Sequence, residues 1–136
     1  MSGINVLIVD AFDPWRRAVA ALLEQTDGYT SSFASDGPEA VRKAAELRPD
    51  VILMDVDLPT LNGTQAARHI QRIVPESKIV FLTDLSAPEI VAAALRAGGR
   101  GYVLKAEAQE TLLRGLEDVL LGKYFLSTSL SNVDSR

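Results

Sequence analysis

Five short apolar segments divide the chain, and a longer segment of mixed polarity follows each of them. Ile4–Val9, Val51–Met54 and residues 78–82 are almost continuously apolar, which predicts strands buried on both faces of a sheet. Tyr29–Ala34 is more polar, which favours an edge strand. Residues 102–104 predict a short fifth strand after a glycine-rich turn.

The segments between these strands carry apolar residues at helical spacing. In the first of them Val19, Leu22 and Leu23 share one face, and Trp15 joins that face as an anchor at the edge of the core. Residues 86–89, Ser-Ala-Pro-Glu, predict a capping box at the start of the fourth helix. We therefore expect one amphipathic helix after every strand.

This alternation of strand and helix predicts an α/β fold. We expect a five-stranded parallel sheet with helices on both faces, in the flavodoxin-like strand order 2-1-3-4-5. The domain is predicted to span residues 1–122. Residues 123–136 are polar and serine-rich after Leu126, and are interpreted as the start of a linker or as a flexible C-terminal tail.

Composition narrows the class of protein. The 136 residues suffice for one domain, and the net charge of -4 argues against non-specific binding of nucleic acid. No cysteine is present, which excludes disulfides, thiolate catalysis and cysteine-based zinc sites. No apolar run approaches the ~18 residues of a membrane span, so we expect a cytoplasmic location and no membrane partner. The single histidine, His69, is interpreted as a solvated helix residue.

Four of the predicted strands end in a polar side chain, and these residues are Asp10, Asp55, Thr83 and Lys105. Because parallel strands bring their carboxyl ends to one edge of a sheet, we expect the four side chains around one crevice. Carboxylates can bind Mg²⁺, and an ionised Asp55 can attack phosphorus while Thr83 and Lys105 contact phosphoryl oxygens. The pattern predicts a site that handles a phosphoryl group.

The residues around these strand ends resemble the receiver domain of two-component response regulators, over about residues 4–122. The matching pieces are Val9-Asp10, Leu53-Met54-Asp55, Leu58-Pro59 with Gly63, Leu82-Thr83, and Gly101-Tyr102-Val103-Leu104-Lys105. The resemblance implies that a histidine kinase phosphorylates Asp55, and that Asp10, Asp55 and the backbone carbonyl of Asp57 hold Mg²⁺. It also implies that Thr83 senses the phosphoryl group, Lys105 contacts it, and Tyr102 reports it by turning inward.

Residues 119–127, Val-Leu-Leu-Gly-Lys-Tyr-Phe-Leu-Ser, look like the stretch that follows the receiver in NarL/LuxR-type transcription regulators. This resemblance implies regulation of transcription, with DNA contacted only through a C-terminal domain that this chain does not contain. It also implies a homodimer, through either helix 4, strand 5 and helix 5 or helices 1 and 5.

Three residues depart from the family pattern. Ala11 stands where a second acid usually binds Mg²⁺ directly, so we expect weak Mg²⁺ binding. Asp84 follows the sensing threonine where a small residue is usual, and Ala106 stands where a proline usually follows the lysine. Asp13, Asp57 and Asp84 are the candidates for a replacement carboxylate.

Other functions stay open at this point. Ala11 and Asp84 favour a receiver that works as a phosphorylation-independent interaction module. Asp55 and Asp57 after a buried strand also resemble the opening motif of aspartyl-nucleophile phosphatases of the haloacid dehalogenase group, although no late acidic pair follows a strand. A flavodoxin-like flavin carrier is disfavoured, because Asp10 and Asp13, which follow the first strand, would repel a phosphate group. For the receiver hypothesis we expect no turnover of an external substrate.

Overall fold

The computed structural model describes residues 3–130, which form an α/β sandwich around one sheet. The sheet has six strands in the order β2-β1-β3-β4-β5-β6, and every neighbouring pair is parallel. The strands are β1 Ile4–Val9, β2 Tyr29–Ala34, β3 Val51–Met54, β4 Lys78–Thr83, β5 Gly99–Leu104 and β6 Phe125–Leu126. The predicted α/β class and the order of the first five strands are confirmed.

Five helices cover the two faces of the sheet: α1 Asp13–Leu23, α2 Gly37–Leu47, α3 Gly63–Ile73, α4 Pro88–Arg96 and α5 Ala108–Leu120. Short 3₁₀ turns cover Lys105–Glu107 and Thr128–Leu130. Within residues 3–130, no helix is both long enough and apolar enough to cross a membrane.

The core lies in two layers because side chains alternate across each strand. In β1, Leu7 and Val9 point into the layer beneath α2, α3 and α4, whereas Val6 and Ile8 point into the layer beneath α1 and α5. β1, β3 and β4 are buried along nearly their whole length, as their apolar runs predict. Because these neighbouring strands are parallel, their carboxyl ends lie at one edge of the sheet.

The sixth strand corrects the prediction of five strands and of a polar linker beginning at residue 123. Phe125, Ser127 and Leu130 are all buried, so residues 125–130 belong to the folded domain. The physical reason is a fitted contact with α5: an added Cβ at Gly115 would lie 2.6 Å from Cδ2 of Phe125, so the glycine leaves the space that the ring fills. The rest of the predicted tail, residues 131–136, lies outside the described residues.

Two further predictions near β5 are wrong in detail. β5 begins at Gly99 rather than at Tyr102, because Gly99 and Gly101 pair with β4 instead of forming a turn. α4 has no capping box, since its N-cap is Ala87 and no side chain caps its first turn. Pro88 at the first helical position supplies the start instead.

Candidate phosphoryl-acceptor site

The four polar residues predicted from the strand ends meet at the carboxyl edge of the sheet. Asp10 follows β1, Asp55 follows β3, Thr83 ends β4 and Lys105 follows β5. Asp10, Asp55 and Thr83 are buried, and the Lys105 side chain is only 15% exposed. The pocket therefore holds two carboxylates and one ammonium group largely out of water.

Lys105 joins the two acids. Its Nζ lies 2.7 Å from Oδ2 of Asp10 and 3.4 Å from Oδ2 of Asp55. The same Nζ lies 5.2 Å from the centre of the Trp15 ring, a distance at which the face of an indole attracts a cation. Burial lowers the pKa of Lys105, but the attraction of Asp10 and Asp55 outweighs it and leaves the pKa raised. Lys105 is therefore fully charged at neutral pH.

Asp10 is held from two sides. Its Oδ1 accepts a hydrogen bond of 2.9 Å from the backbone N–H of Phe12, which fixes the carboxylate at the start of the loop. The guanidinium of Arg16 donates to the backbone carbonyl of Asp10. Oδ2 makes no hydrogen bond and is paired only by the charge of Lys105, whose Nζ lies 2.7 Å away.

Asp55 is buried, and its contacts are longer than those of the Asp10 carboxylate. Burial raises its pKa and the charge of Asp10 adds to this, whereas a hydrogen bond from Thr83, the charge of Lys105 and the backbone N–H of Asp57 oppose the shift. The Asp57 N–H lies 3.3 Å from Oδ1 of Asp55. Gly63 packs beneath the site: a Cβ there would lie 2.1 Å from the backbone oxygen of Asp55.

A chain of hydrogen bonds runs from Thr83 to Tyr102. The N–H of Leu85 lies 3.5 Å from Oγ1 of Thr83, and the hydroxyl of Tyr102 donates to the carbonyl of Leu85 at 2.7 Å. The Tyr102 ring is fully buried, lying inside the protein. Burial, together with the charge of Asp55, raises the pKa of Tyr102 to about 12. The loop between β4 and α4 thus connects the two residues.

The remaining predicted residues lie at the rim. Ala11, Asp57, Asp84 and Ala106 are exposed, and His69 lies exposed on α3 away from the crevice. Asp13 is held by Arg16 and Arg17, at 3.0 Å and 2.8 Å. The candidate replacement acids therefore contribute no buried carboxylate to the pocket.

The oxygen atoms at this edge match the ligands that Mg²⁺ prefers. Mg²⁺ usually takes one or two carboxylates and keeps several waters. Asp10 and Asp55 supply two carboxylates, and the backbone of Asp57 lies beside them. Within residues 3–130 no cluster of three His, Cys, Asp or Glu side chains suited to a metal ion is found. The residues fit a Mg²⁺ ion held by two carboxylates, at an edge that Lys105 already neutralises in part.

Sequence reasoning missed two contacts of the site. The spacing of Trp15 predicts a position at the edge of the core, and the residue does pack there, but its ring also lies against the ammonium of Lys105. Arg16 follows it on α1 and donates to Asp10. The available signal was the adjacent Trp-Arg pair in the first turn of α1, because only residues 10–12 separate this helix from the end of β1.

Comparison with known proteins places this geometry in a family. The family model of the response regulator receiver domain matches residues 6–117, which covers both acids, the threonine and the lysine. The chain belongs to the response regulator receiver family. Receiver domains generally bind Mg²⁺ at an acidic pocket and interact with histidine kinases and output domains.

The relatives show the receiver to be of the NarL/LuxR type. The response regulator GacA of Pseudomonas viridiflava is 33% identical over 129 residues, which is 94% of this chain and 60% of that protein. A LuxR-family two-component response regulator from Aurantimonas sp. SI85-9A1 superposes with a TM-score of 0.93 at 29% identity, over 98% of this chain and 96% of the other. The isolated receiver of RcsB from Salmonella enterica serovar Typhimurium, solved with the phosphomimetic BeF3-, gives a TM-score of 0.87 at 26% identity, over 97% and 99%. This chain spans about 60% of the length of GacA.

Proposed function

We propose that this receiver is a phosphoryl-accepting switch in which a histidine kinase phosphorylates Asp55. The observation that carries the proposal is the position of Lys105, whose Nζ lies 2.7 Å from Asp10 and 3.4 Å from Asp55. An ammonium beside a buried carboxylate is suited to neutralise charge on a phosphoryl group during transfer. Thr83 lies on the neighbouring strand and offers a hydroxyl to the same group.

The proposed reaction is an in-line displacement at phosphorus. A carboxylate oxygen of Asp55 forms a new P–O bond, and the P–N bond to the kinase histidine breaks. The imidazole nitrogen keeps the bonding electron pair and takes up a proton as it leaves. A bound Mg²⁺ would supply charge neutralisation for the phosphoryl oxygens, with Asp10, Asp55 and the Asp57 carbonyl as its protein ligands. No external substrate is turned over.

The signal would pass from Thr83 to Tyr102 through the loop that contains Leu85. To donate its hydroxyl to a phosphoryl oxygen on Asp55, the Thr83 side chain would move toward β3, which would lengthen its 3.5 Å contact with the Leu85 N–H. Leu85 also accepts the hydrogen bond of Tyr102, so a shift of the loop alters the position of the ring. The face formed by α4, β5 and α5 is therefore the proposed output surface.

The output is proposed to be transcription, through an attached or partner domain, in keeping with the longer relatives. A homodimer through α4, β5 and α5, or through α1 and α5, would bring two such outputs together. A histidine kinase is the proposed upstream partner. DNA would be contacted only by the output domain.

Weak Mg²⁺ binding follows from Ala11 and from the contact between Lys105 and Asp10. A methyl group cannot ligate Mg²⁺, which binds oxygen in near-octahedral geometry. The ion must also compete with an ammonium that already lies 2.7 Å from Oδ2 of Asp10. These same two observations favour the second candidate function, a receiver that binds a partner without being phosphorylated.

The acceptor assignment is tested with Asp55→Asn. The amide fills the same space but cannot attack phosphorus, so this variant should lose the acid-stable, hydroxylamine-labile phosphoryl group that the kinase transfers to the natural protein. Circular dichroism should show the fold unchanged. Undiminished labelling of the variant would place the acceptor at another residue. If the natural protein is not phosphorylated but binds a partner, the second candidate function, partner binding without phosphorylation, is favoured.

A further inference from the structure

Ser127 makes hydrogen bonds to two backbone groups near the end of β5. The backbone N–H of Ser127 donates to the carbonyl of Tyr102 at 2.9 Å, and its Oγ accepts from the N–H of Leu104 at 2.8 Å. Ser127 is fully buried, so both bonds are shielded from bulk water. One serine therefore fixes the stretch of β5 that lies between Tyr102 and Lys105.

The hydroxyl of Ser127 takes the place of a backbone carbonyl as a hydrogen-bond acceptor. β6 has only two residues, paired with Gly101 and Tyr102, and the chain then enters the 3₁₀ turn Thr128–Leu130. Because β6 stops there, no carbonyl of that strand reaches the next N–H of β5. The serine side chain accepts from Leu104 in its place, which avoids leaving a partly buried donor without a partner.

The segment that carries Ser127 is attached to the rest of the domain at both ends. On one side, the Phe125 ring fills the space above Gly115 of α5. On the other, the N–H of Leu130 donates to the carbonyl of Ser127 at 2.8 Å, and Leu130 is buried in the same apolar cluster as Tyr102. A displacement of β5 would therefore move residues 128–130 with it.

Lys105 directly follows the residue that Ser127 holds. The Nζ of Lys105 must reach Asp10 and Asp55 from a backbone that starts at the end of β5. Leu104 fixes where that backbone lies, and the Ser127 hydroxyl is the acceptor for the Leu104 N–H. The position of the ammonium is thus set in part by a residue from beyond α5.

We propose that Ser127 is a positioning residue for the site. It holds the end of β5 so that Lys105 reaches the two carboxylates, and it ties residues 128–130 to the position of Tyr102. The effect on phosphorylation rests on the proposed function, whereas the effect on the position of Lys105 does not. Ser77 offers a matched control, since it is also buried and its Oγ donates to the carbonyl of Pro49, near the opposite ends of β3 and β4.

The first experiment needs no phosphoryl group. Unfolding by urea is measured for Ser127→Ala, Lys105→Met and the double variant, and for the same cycle built on Ser77→Ala. The Ser127 and Lys105 substitutions should be non-additive by at least about fivefold in the unfolding equilibrium constant, because one positions the other. The cycle with Ser77 should be additive. Additivity of the Ser127 cycle would overturn the proposal.

The second experiment measures the initial rate at which acetyl phosphate with Mg²⁺ labels Asp55. Ser127→Ala should slow labelling by roughly 3–10-fold, in line with loss of about one hydrogen bond from the positioning of Lys105. Ser77→Ala should label at the natural rate despite losing a buried bond of its own. Equal rates for the two variants would contradict the proposal. A natural protein that takes no label would refute the proposed function, and the unfolding cycle alone would then decide the role of Ser127.

Discussion

Lys105 lies closer to Asp10 than to Asp55, the residue that we propose as the phosphoryl acceptor. The distances from its Nζ are 2.7 Å to Oδ2 of Asp10 and 3.4 Å to Oδ2 of Asp55. Both acids are buried, and Trp15 covers the ammonium on a further side. Lys105 is thus a built-in cation at the edge where receiver domains bind Mg²⁺, and the following predictions depend on that arrangement.

Replacing Lys105 should destabilise the protein and improve Mg²⁺ binding. Lys105→Met leaves Oδ2 of the buried Asp10 without its partner, which should lower the free energy of unfolding by about 1–3 kcal/mol at neutral pH. The pKa of Lys105 is raised, so its contribution is complete at neutral pH and is lost only as the pH rises through that raised value, above 10.5. Urea unfolding measures the first effect, and a Mg²⁺ titration measures the second.

Lys123→Met is the control for this substitution, because Lys123 is exposed and lies beyond α5. It should unfold and bind Mg²⁺ like the natural protein. If Lys105→Met is as stable as the natural protein, the ion pair between Lys105 and Asp10 makes no net contribution to the free energy of unfolding.

The second prediction concerns Asp55 and pH. Its pKa is raised, so the folded state holds this proton more tightly than the unfolded chain does, and stability falls as the pH rises from about 4 through the folded value. The ionised carboxylate therefore costs stability at neutral pH. Asp55→Asn should raise the thermal unfolding midpoint there, and the advantage should vanish when the protein is acidified below about pH 4.

The exposed Asp84 provides the matched control, since Asp84→Asn removes one negative charge from the same edge without burial. Its unfolding midpoint should differ little from that of the natural protein at either pH. An Asp55→Asn protein that is less stable at neutral pH would show that the attraction of Lys105 outweighs burial.

Adding the missing acid should strengthen metal binding. Changes to outer-shell partners of a metal commonly cost ~10–100-fold in affinity, so restoring a direct ligand with Ala11→Asp should raise Mg²⁺ affinity by at least ~10-fold. The fluorescence of Trp15 is the readout, because its ring contacts the lysine that the ion must displace from Asp10. If the natural protein already binds as tightly as the variant, another acid has taken over the role. Asp84→Asn and Asp57→Asn would then identify it by weakening that binding.

The sequence was sufficient for the main architecture and for the four polar strand ends. Val51–Met54 is apolar throughout and is followed by Asp55, so the apolar run predicts that this carboxylate lies immediately after the strand. The same logic places Asp10 after β1 and Thr83 at the end of β4. In a parallel sheet these ends must lie along one edge, whatever the details of packing.

The sequence could not supply the contacts that depend on tertiary packing. β6 has two residues and no periodicity, and its position depends on Phe125 finding the gap above Gly115. Gly99 and Gly101 predict a turn, because glycine has a low strand propensity. In the structure they lie inside β5, where the side chains of β4 approach them closely. The sequence also could not show that Lys105 lies closer to Asp10 than to Asp55. The position of its Nζ depends on the conformation of a long flexible side chain, and residue spacing does not determine that conformation.

The account is tested most directly by the mass of the intact protein after incubation with acetyl phosphate and Mg²⁺. The natural protein should gain the mass of one phosphoryl group, more slowly than Ala11→Asp does, and hydroxylamine should remove it. Asp55→Asn should gain none under the same conditions. A natural protein whose mass stays unchanged while Ala11→Asp is labelled, or an Asp55→Asn protein that is labelled like the natural one, would contradict the claim that Asp55 is a working phosphoryl acceptor.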